Sequence, residues 1–292
     1  ADSNCIVQGQ HPAVLVELHA DNRHVDDVVH RRQHDRMFDV LVVLVGDDAV
    51  AFGILRHRGD DVARGQLAQV GELLVICCQH EEYLRAMQLK QQHPFIHVAY
   101  GFYPCDTSDL QESDWARLEE ICRTHQVDVI GEIGLDHHYD DTDKEKQHDA
   151  LIRQLKLAAE CDLPISIHMR DATADCLDLL KTYAKTPFVM HCFSGSVETA
   201  MEVVRMGGYI SFAGPLTFKN ARALPEVAKI VPAERILCET DCPYLTPVPH
   251  RGKENEPMYV RFTFDKICEL RNADPQRMSE QILQNYHRFL GK

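Results

Sequence analysis

The chain has 292 residues, 45% of them hydrophobic, and a formal net charge of −14. That length can bury a large core, enough for one barrel-sized domain or two smaller ones. The negative balance argues against broad, charge-driven binding of nucleic acid, but it allows a small electropositive site built by metal ions. No apolar run approaches the roughly 18 residues of a membrane span, and no basic-then-apolar leader is evident, so no membrane partner is expected. The eleven cysteines are scattered without a C-x-x-C pair. They read as reduced thiols, and the expected compartment is the cytoplasm.

Residues 1–72 contain no Lys, Thr, Tyr or Trp and only one Ser, although the whole chain has 19 Ser plus Thr. Residues 1–36 therefore read as an atypical opening segment, and 37–292 as the folded domain. A strand is expected at Phe38–Val45 and a helix near 58–70. From residue 72 the rhythm is regular. Strands are expected at Leu73–Cys78 and Phe95–Tyr100. Ser108 and Gln111 read as a capping box for a helix running to His125, and Thr142 with Glu145 as a second box for a helix to about Cys161. Between them Val127–Ile130 leads into Gly131-Glu132-Ile133-Gly134-Leu135-Asp136. Further strands end on His168, His191 and Asp241, with Tyr209–Phe212 between the last two. Helices are expected over 171–183, 196–206, 220–231, 257–271 and 275–290, the last opened by Asp274-Pro275.

Eight short strands alternating with helices predict a parallel sheet closed into a (β/α)8 TIM barrel. Such barrels keep their active sites at the C-terminal ends of the strands. Glu132, His168, His191 and Asp241 all sit at such ends, and all are metal-ligand types. Glycines flanking Glu132 leave space beside its carboxylate. Any one of the four alone reads as a hydrogen-bonded structural residue; the set at equivalent positions reads as a metal site. Asp136 reads as a loop cap, His137 and His138 as exposed loop residues, and Glu239 as a supporting acid or an ion-pair partner. Barrels commonly bind phosphate near the last two strand-to-helix loops. Lys219 and Arg222 there read as solvated charge, whereas Arg251 follows Pro243, Pro247 and Pro249, which stiffen its loop. Arg251, Asn255 and Arg170 are the expected substrate contacts.

The stretches Gly-Glu-Ile-Gly-Leu-Asp (131–136), Ile-His-Met-Arg-Asp (167–171), His-Cys-Phe-Ser-Gly (191–195), Glu-Thr-Asp-Cys-Pro-Tyr-Leu (239–245) and Pro-His-Arg-Gly-Lys-Glu-Asn-Glu-Pro (249–257) together resemble the TatD family. Its members are metal-dependent hydrolases and deoxyribonucleases on a TIM barrel of the amidohydrolase type. The resemblance runs from about residue 72 to the C-terminus. It implies Glu132 as a metal-bridging acid, His168 and His191 as metal ligands, and Asp241 as a ligand that also takes the proton of the attacking water. Two features depart from the family. The first strand usually ends in His-x-His, but no two of the 17 histidines are spaced by two, and Leu41 and Val43 stand in the corresponding places. Tyr103 precedes Pro104 where the family usually has His.

The expected function is metal-dependent hydrolysis of DNA phosphodiesters, on single strands or ends, with a divalent ion (Zn, Mn or Mg) and no obligate protein partner. Two alternatives stand beside it. One is a barrel hydrolase acting on a small amide or lactone. The other is a metal-binding barrel that has lost turnover with its His-x-His.

Overall fold

The structure, a computed structural model, describes the backbone of residues 39–43 and all of residues 71–292. The expected helix near 58–70 and the expected boundary at 36/37 lie outside the described residues. Strands β1 (Asp39–Val43), β2 (Glu72–Cys77), β3 (Ile96–Tyr100), β4 (Val129–Asp136), β5 (Ile165–Arg170), β6 (Phe188–Met190), β7 (Tyr209–Phe212) and β8 (Ile236–Glu239) close into one barrel in sequence order. Helices α1 (His80–Gln92), α2 (Glu112–Arg123), α3 (Lys144–Cys161), α4 (Thr173–Tyr183), α5 (Val197–Arg205) and α6 (Ala223–Ile230) connect successive strands from β2 to β8. Helices α7 (Val260–Arg271) and α8 (Pro275–Phe289) finish the chain.

Seven strands, β2 to β8, are mutually parallel, as expected. The eighth is not. β1 runs antiparallel to both β2 and β8, with Asp39 opposite Ile76, Val43 opposite Glu72, and Leu41 opposite Glu239. Five extended residues can satisfy their ladder in either direction, so a short apolar run does not fix its own sense. Two helix starts also shift. The first capping box is built on Gln111 and Asp114, because Ser108 belongs to a 3-10 turn over Pro104–Asp109. Asp143, not Thr142, caps α3 by accepting from the main-chain N–H groups of Glu145 and Lys146. Asp274 caps α8 with Pro275 in its first turn, as expected.

Helices cover the outer face of the parallel strands and side chains fill the inside, so most strand positions are buried. β3 and β4 are buried at every position, including His97, Glu132 and Asp136. The glycines beside Glu132 have a packing cause. A Cβ on Gly131 would lie 2.6 Å from the Ser166 Cβ, and one on Gly134 would lie 1.9 Å from the His168 carbonyl oxygen. The space expected beside Glu132 is thus taken by β5 itself.

The opposite end of the barrel is closed by charge. Glu72 meets His97 Nε2 at 3.1 Å and His287 Nε2 of α8 at 2.7 Å. Asp128 accepts from Lys90 and from the Val98 N–H, and lies 3.3 Å from His97 Nδ1. Asn285, fully buried on α8, donates to the carbonyls of Ala233 and Ile236. The described cysteines are mostly buried. Among the described residues no helix is long and apolar enough to cross a membrane.

Candidate active site

Two of the four candidate side chains stand just past a strand, and two lie inside one, short of the strand end expected from the sequence. Glu132 is inside β4, His168 inside β5, His191 one residue past β6, and Asp241 two residues past β8. The main chain bends sharply there: Asp171, Cys192 and Asp241 have φ of 52°, 41° and 58°. Left-handed backbone at non-glycine residues is costly and gathers where neighbouring structure imposes it, often at functional sites. These bends turn three strand ends over the barrel mouth.

Glu132 is central. Its Oε1 lies 2.7 Å from His168 Nδ1 and 3.7 Å from His191 Nε2. His191 Nε2 is in turn 3.1 Å from Asp241 Oδ1. Behind it, His191 Nδ1 meets Glu239 Oε2 at 2.6 Å, and Glu239 Oε1 accepts the Cys192 N–H. Both readings open for Glu239 fit these contacts, since it pairs with His191 while supporting the ring from behind. On the other side His168 Nε2 lies 3.1 Å from Asp136 Oδ2, which also accepts from the Tyr103 hydroxyl at 3.1 Å. The Tyr103 ring stands edge-on to His168 with centroids 5.0 Å apart.

Asp136 does more than cap a loop. Its Oδ1 accepts the His138 N–H as a cap would, but the residue is fully buried and its second oxygen faces the site. Gln147, fully buried on α3, clamps the same residue: its amide donates to the Asp136 carbonyl and its oxygen accepts the Asp136 N–H, both at 2.9 Å. Gln147, on a helix, carries no strand-end signal, and Glu239, the last residue of β8, carries one that does not tell its role. Only the partner that each one touches gives it a role. His137 is also not the exposed loop residue expected; its side chain is 11% exposed.

The electrostatics follow from four carboxylates packed around two imidazoles. Burial opposes charge on His168, but its hydrogen bonds to Asp136 and Glu132 outweigh it and hold its pKa at about 9. Burial likewise disfavours charged His191, yet Glu239, Glu132 and Asp241 push its pKa well above the usual value. Glu132 and Asp136 are lowered despite burial, Glu132 chiefly by His191 and His168, and Asp136, chiefly by His168, to about 2. Burial and the nearby Asp136 drive the Tyr103 phenol well above its ordinary range, which keeps it a neutral donor.

The residues fit a divalent ion. Glu132 Oε2 is buried without a hydrogen-bond partner, and an orphaned buried carboxylate oxygen is rare enough to ask for one. A carboxylate on Nδ1 leaves the other nitrogen of His191 aimed inward, the arrangement that orients metal-binding imidazoles. Glu132, His168, His191 and Asp241 offer mixed oxygen and nitrogen donors of the kind that a divalent ion takes.

Of the three expected substrate contacts, Arg251 and Arg170 reach the surface, and Asn255 does not. Arg251 is exposed, its guanidinium 4.1 Å above the Phe218 ring. Arg170 reaches the Tyr139 hydroxyl at 3.3 Å and lies over that ring. Asn255 is buried, and its amide donates to the carbonyls of Thr240 and Tyr244 while its oxygen accepts the Glu256 N–H. Its hydrogen bonds tie the loop after β8 together.

A barrel of seven parallel strands with carboxylates and imidazoles at the strands' C-terminal ends defines a barrel hydrolase of the metal-dependent kind. Comparison with known proteins agrees. A family model described as TatD related DNase matches residues 47–291. The chain belongs to the TatD family of metal-dependent hydrolases. It is 40% identical over 230 residues to YabD of Bacillus subtilis, named an uncharacterized metal-dependent hydrolase, covering 78% of this chain and 90% of that protein. The 3′-5′ ssDNA/RNA exonuclease TatD of Escherichia fergusonii is 32% identical over 246 residues, covering 82% and 92%. The crystal structure of YJJV, a TatD homologue from Escherichia coli K12, superposes with a TM-score of 0.75 at 30% identity, covering 80% and 93%.

Proposed function

We propose that the chain hydrolyses phosphodiesters of single-stranded DNA, working inward from an end. The observation that carries the reading is a division of labour among the carboxylates. Glu132, Asp136 and Glu239 have side chains at most 2% exposed, whereas the Asp241 side chain is 13% exposed and stands 3.1 Å from His191 Nε2. Glu132, His168, His191 and Asp241 would hold the ion. Bound there, a divalent metal lowers the pKa of water and polarises a phosphoryl oxygen.

Asp241, the carboxylate that solvent reaches, accepts the proton of the attacking water. Water oxygen adds to phosphorus, the P–O ester bond breaks, and its electron pair leaves on the departing sugar oxygen. Arg251 meets non-bridging phosphate oxygens from the rim, held over Phe218 in a fixed position; Arg170 does the same from the β5 side. The substrate class is supported by the Escherichia fergusonii relative, whose name is that of a single-strand exonuclease. Because β1 carries no histidine, we assign one tightly held ion to the barrel centre.

A 5′-labelled single-stranded DNA digested with Mg or Mn tests the reading. Wild type should give a ladder shortened from the 3′ end, and Glu132→Ala and Asp241→Asn should give none. An undigested strand with every divalent metal, or full cleavage by Glu132→Ala, would refute it. Turnover of small cyclic amides or lactones in place of DNA would move the reaction to a different bond on the same residues.

A further inference from the structure

Outside the barrel mouth, three potential ligands face one another behind the loop after β4. His137 follows β4 directly, His148 lies on α3, and Asp175 lies in the first turn of α4. One donor atom from each lies within 4.8 Å of the other two. The two imidazoles are nearly parallel, with planes 7° apart and centroids 6.0 Å apart.

Asp175 Oδ2 lies 3.9 Å from His137 Nδ1 and 3.7 Å from His148 Nε2. Both separations exceed a hydrogen bond. Both fall within the roughly 4 Å that two ligand bonds of about 2.0–2.2 Å span across one ion. A second observation concerns the other ring nitrogen: His137 Nε2, not the Nδ1 measured to Asp175, is buried with no hydrogen-bond partner. A structural histidine at a strand end normally spends a ring nitrogen on a carbonyl or carboxylate. This one does not.

We propose that His137, His148 and Asp175 form a second divalent-ion site, separate from the barrel centre. Two imidazoles and one carboxylate favour a borderline ion such as zinc over magnesium or calcium, which take oxygen-rich shells. The site joins three elements, so its ion braces the loop after β4 against α3 and α4. Each histidine adjoins a residue of the Asp136 clamp, since His137 follows Asp136 and His148 follows Gln147. The brace therefore steadies the corner from which Asp136 faces the active site.

The test uses the full chain stripped with chelator, dialysed to equilibrium against zinc, with bound metal counted per chain. His148→Gln and Asp175→Asn change half-buried and exposed helix positions, and circular dichroism checks their folding. Each variant should lose one zinc equivalent relative to wild type, while His191→Gln should lose a different one. The double variant His148→Gln/His191→Gln should lose both. Cobalt substituted into wild type and His148→Gln gives a second readout, because the visible absorption of one site should vanish in the variant. If His148→Gln and Asp175→Asn hold as much zinc as wild type, the site does not exist. Loss of zinc only in His191→Gln overturns it equally, and leaves the barrel-centre assignment standing.

Discussion

His191 and Glu239 meet through Nδ1 and Oε2 at 2.6 Å, on side chains 3% and 0% exposed. The same carboxylate accepts the Cys192 N–H. One acid therefore holds both the ring of His191 and the left-handed turn after it, and it fixes which imidazole nitrogen faces Glu132 and Asp241.

Glu239→Gln should weaken metal binding more than its conservative chemistry suggests. Glutamine has one accepting oxygen for two donors, so either the ring or the Cys192 N–H loses its partner. Removal of such a supporting carboxylate typically costs about 10–100-fold in metal affinity. Calorimetric titration with zinc or manganese measures it. An unchanged affinity would mean that His191 does not bind the ion through Nε2.

Arg251→Ala should slow cleavage by about 10²-fold, the scale for losing one charged donor to a reacting phosphate. Asp241→Asn should abolish it. The two differ in their salt response: the Arg251→Ala deficit should shrink as salt screens the phosphate contact, and the Asp241→Asn deficit should not. Equal loss in both variants, at all salt concentrations, would deny Arg251 a substrate role.

Gln147→Leu should destabilise the fold by about 1–3 kcal/mol, since it strips the partners from the buried N–H and carbonyl of Asp136. Urea unfolding reads the stability. Activity should fall in the folded fraction as well, because Asp136 holds His168. Full activity per folded molecule would confine Gln147 to stability.

The charged floor of the barrel predicts an acid limit. Burial disfavours the Glu72 carboxylate, but His97 and His287 more than compensate and bring its pKa down to about 2. A carboxylate held below its unfolded value stabilises the fold above that value, and the stabilisation fades as pH falls from about 4.5 toward 2. Glu72→Gln should flatten the fall of melting temperature in that window. An identical slope in the variant would show that acid unfolding is driven elsewhere. Near neutrality His97, buried yet raised by Asp128 and Glu72, adds an opposite trend, since its contribution is lost as pH climbs through its folded value.

The four candidate donors stand out in the sequence because they follow apolar runs, and a strand end in a parallel barrel is a place of known function. Their helpers stand out less. Glu239 closes β8 but leaves a supporting acid and an ion-pair partner equally open, Gln147 lies on a helix whose pattern gives no hint of a buried amide, and Asp136 looks like any acid at the head of a loop. What each does depends on an element distant in sequence. The direction of β1 was hidden for the same reason. Strand sense comes from how the chain returns to the sheet, and Asp39–Val43 reads the same both ways. The helix starts at Gln111 and Asp143 missed by one to three residues because several neighbouring polar residues could cap equally well. His137 was read from its neighbours as loop, and only the packing of α3 and α4 buries it.

Gly134 acts as a gauge. With the His168 carbonyl 1.9 Å from where a Cβ would be, the spacing of two functional strands is set by a missing methyl group. Alanine there would act as a wedge, forcing β5 outward and carrying the imidazole of His168 away from Glu132 without altering a single donor. A protein built this way can lose its chemistry through an added atom as readily as through a deleted ligand. Sequence variation in the family is therefore best judged at the positions that carry no side chain at all.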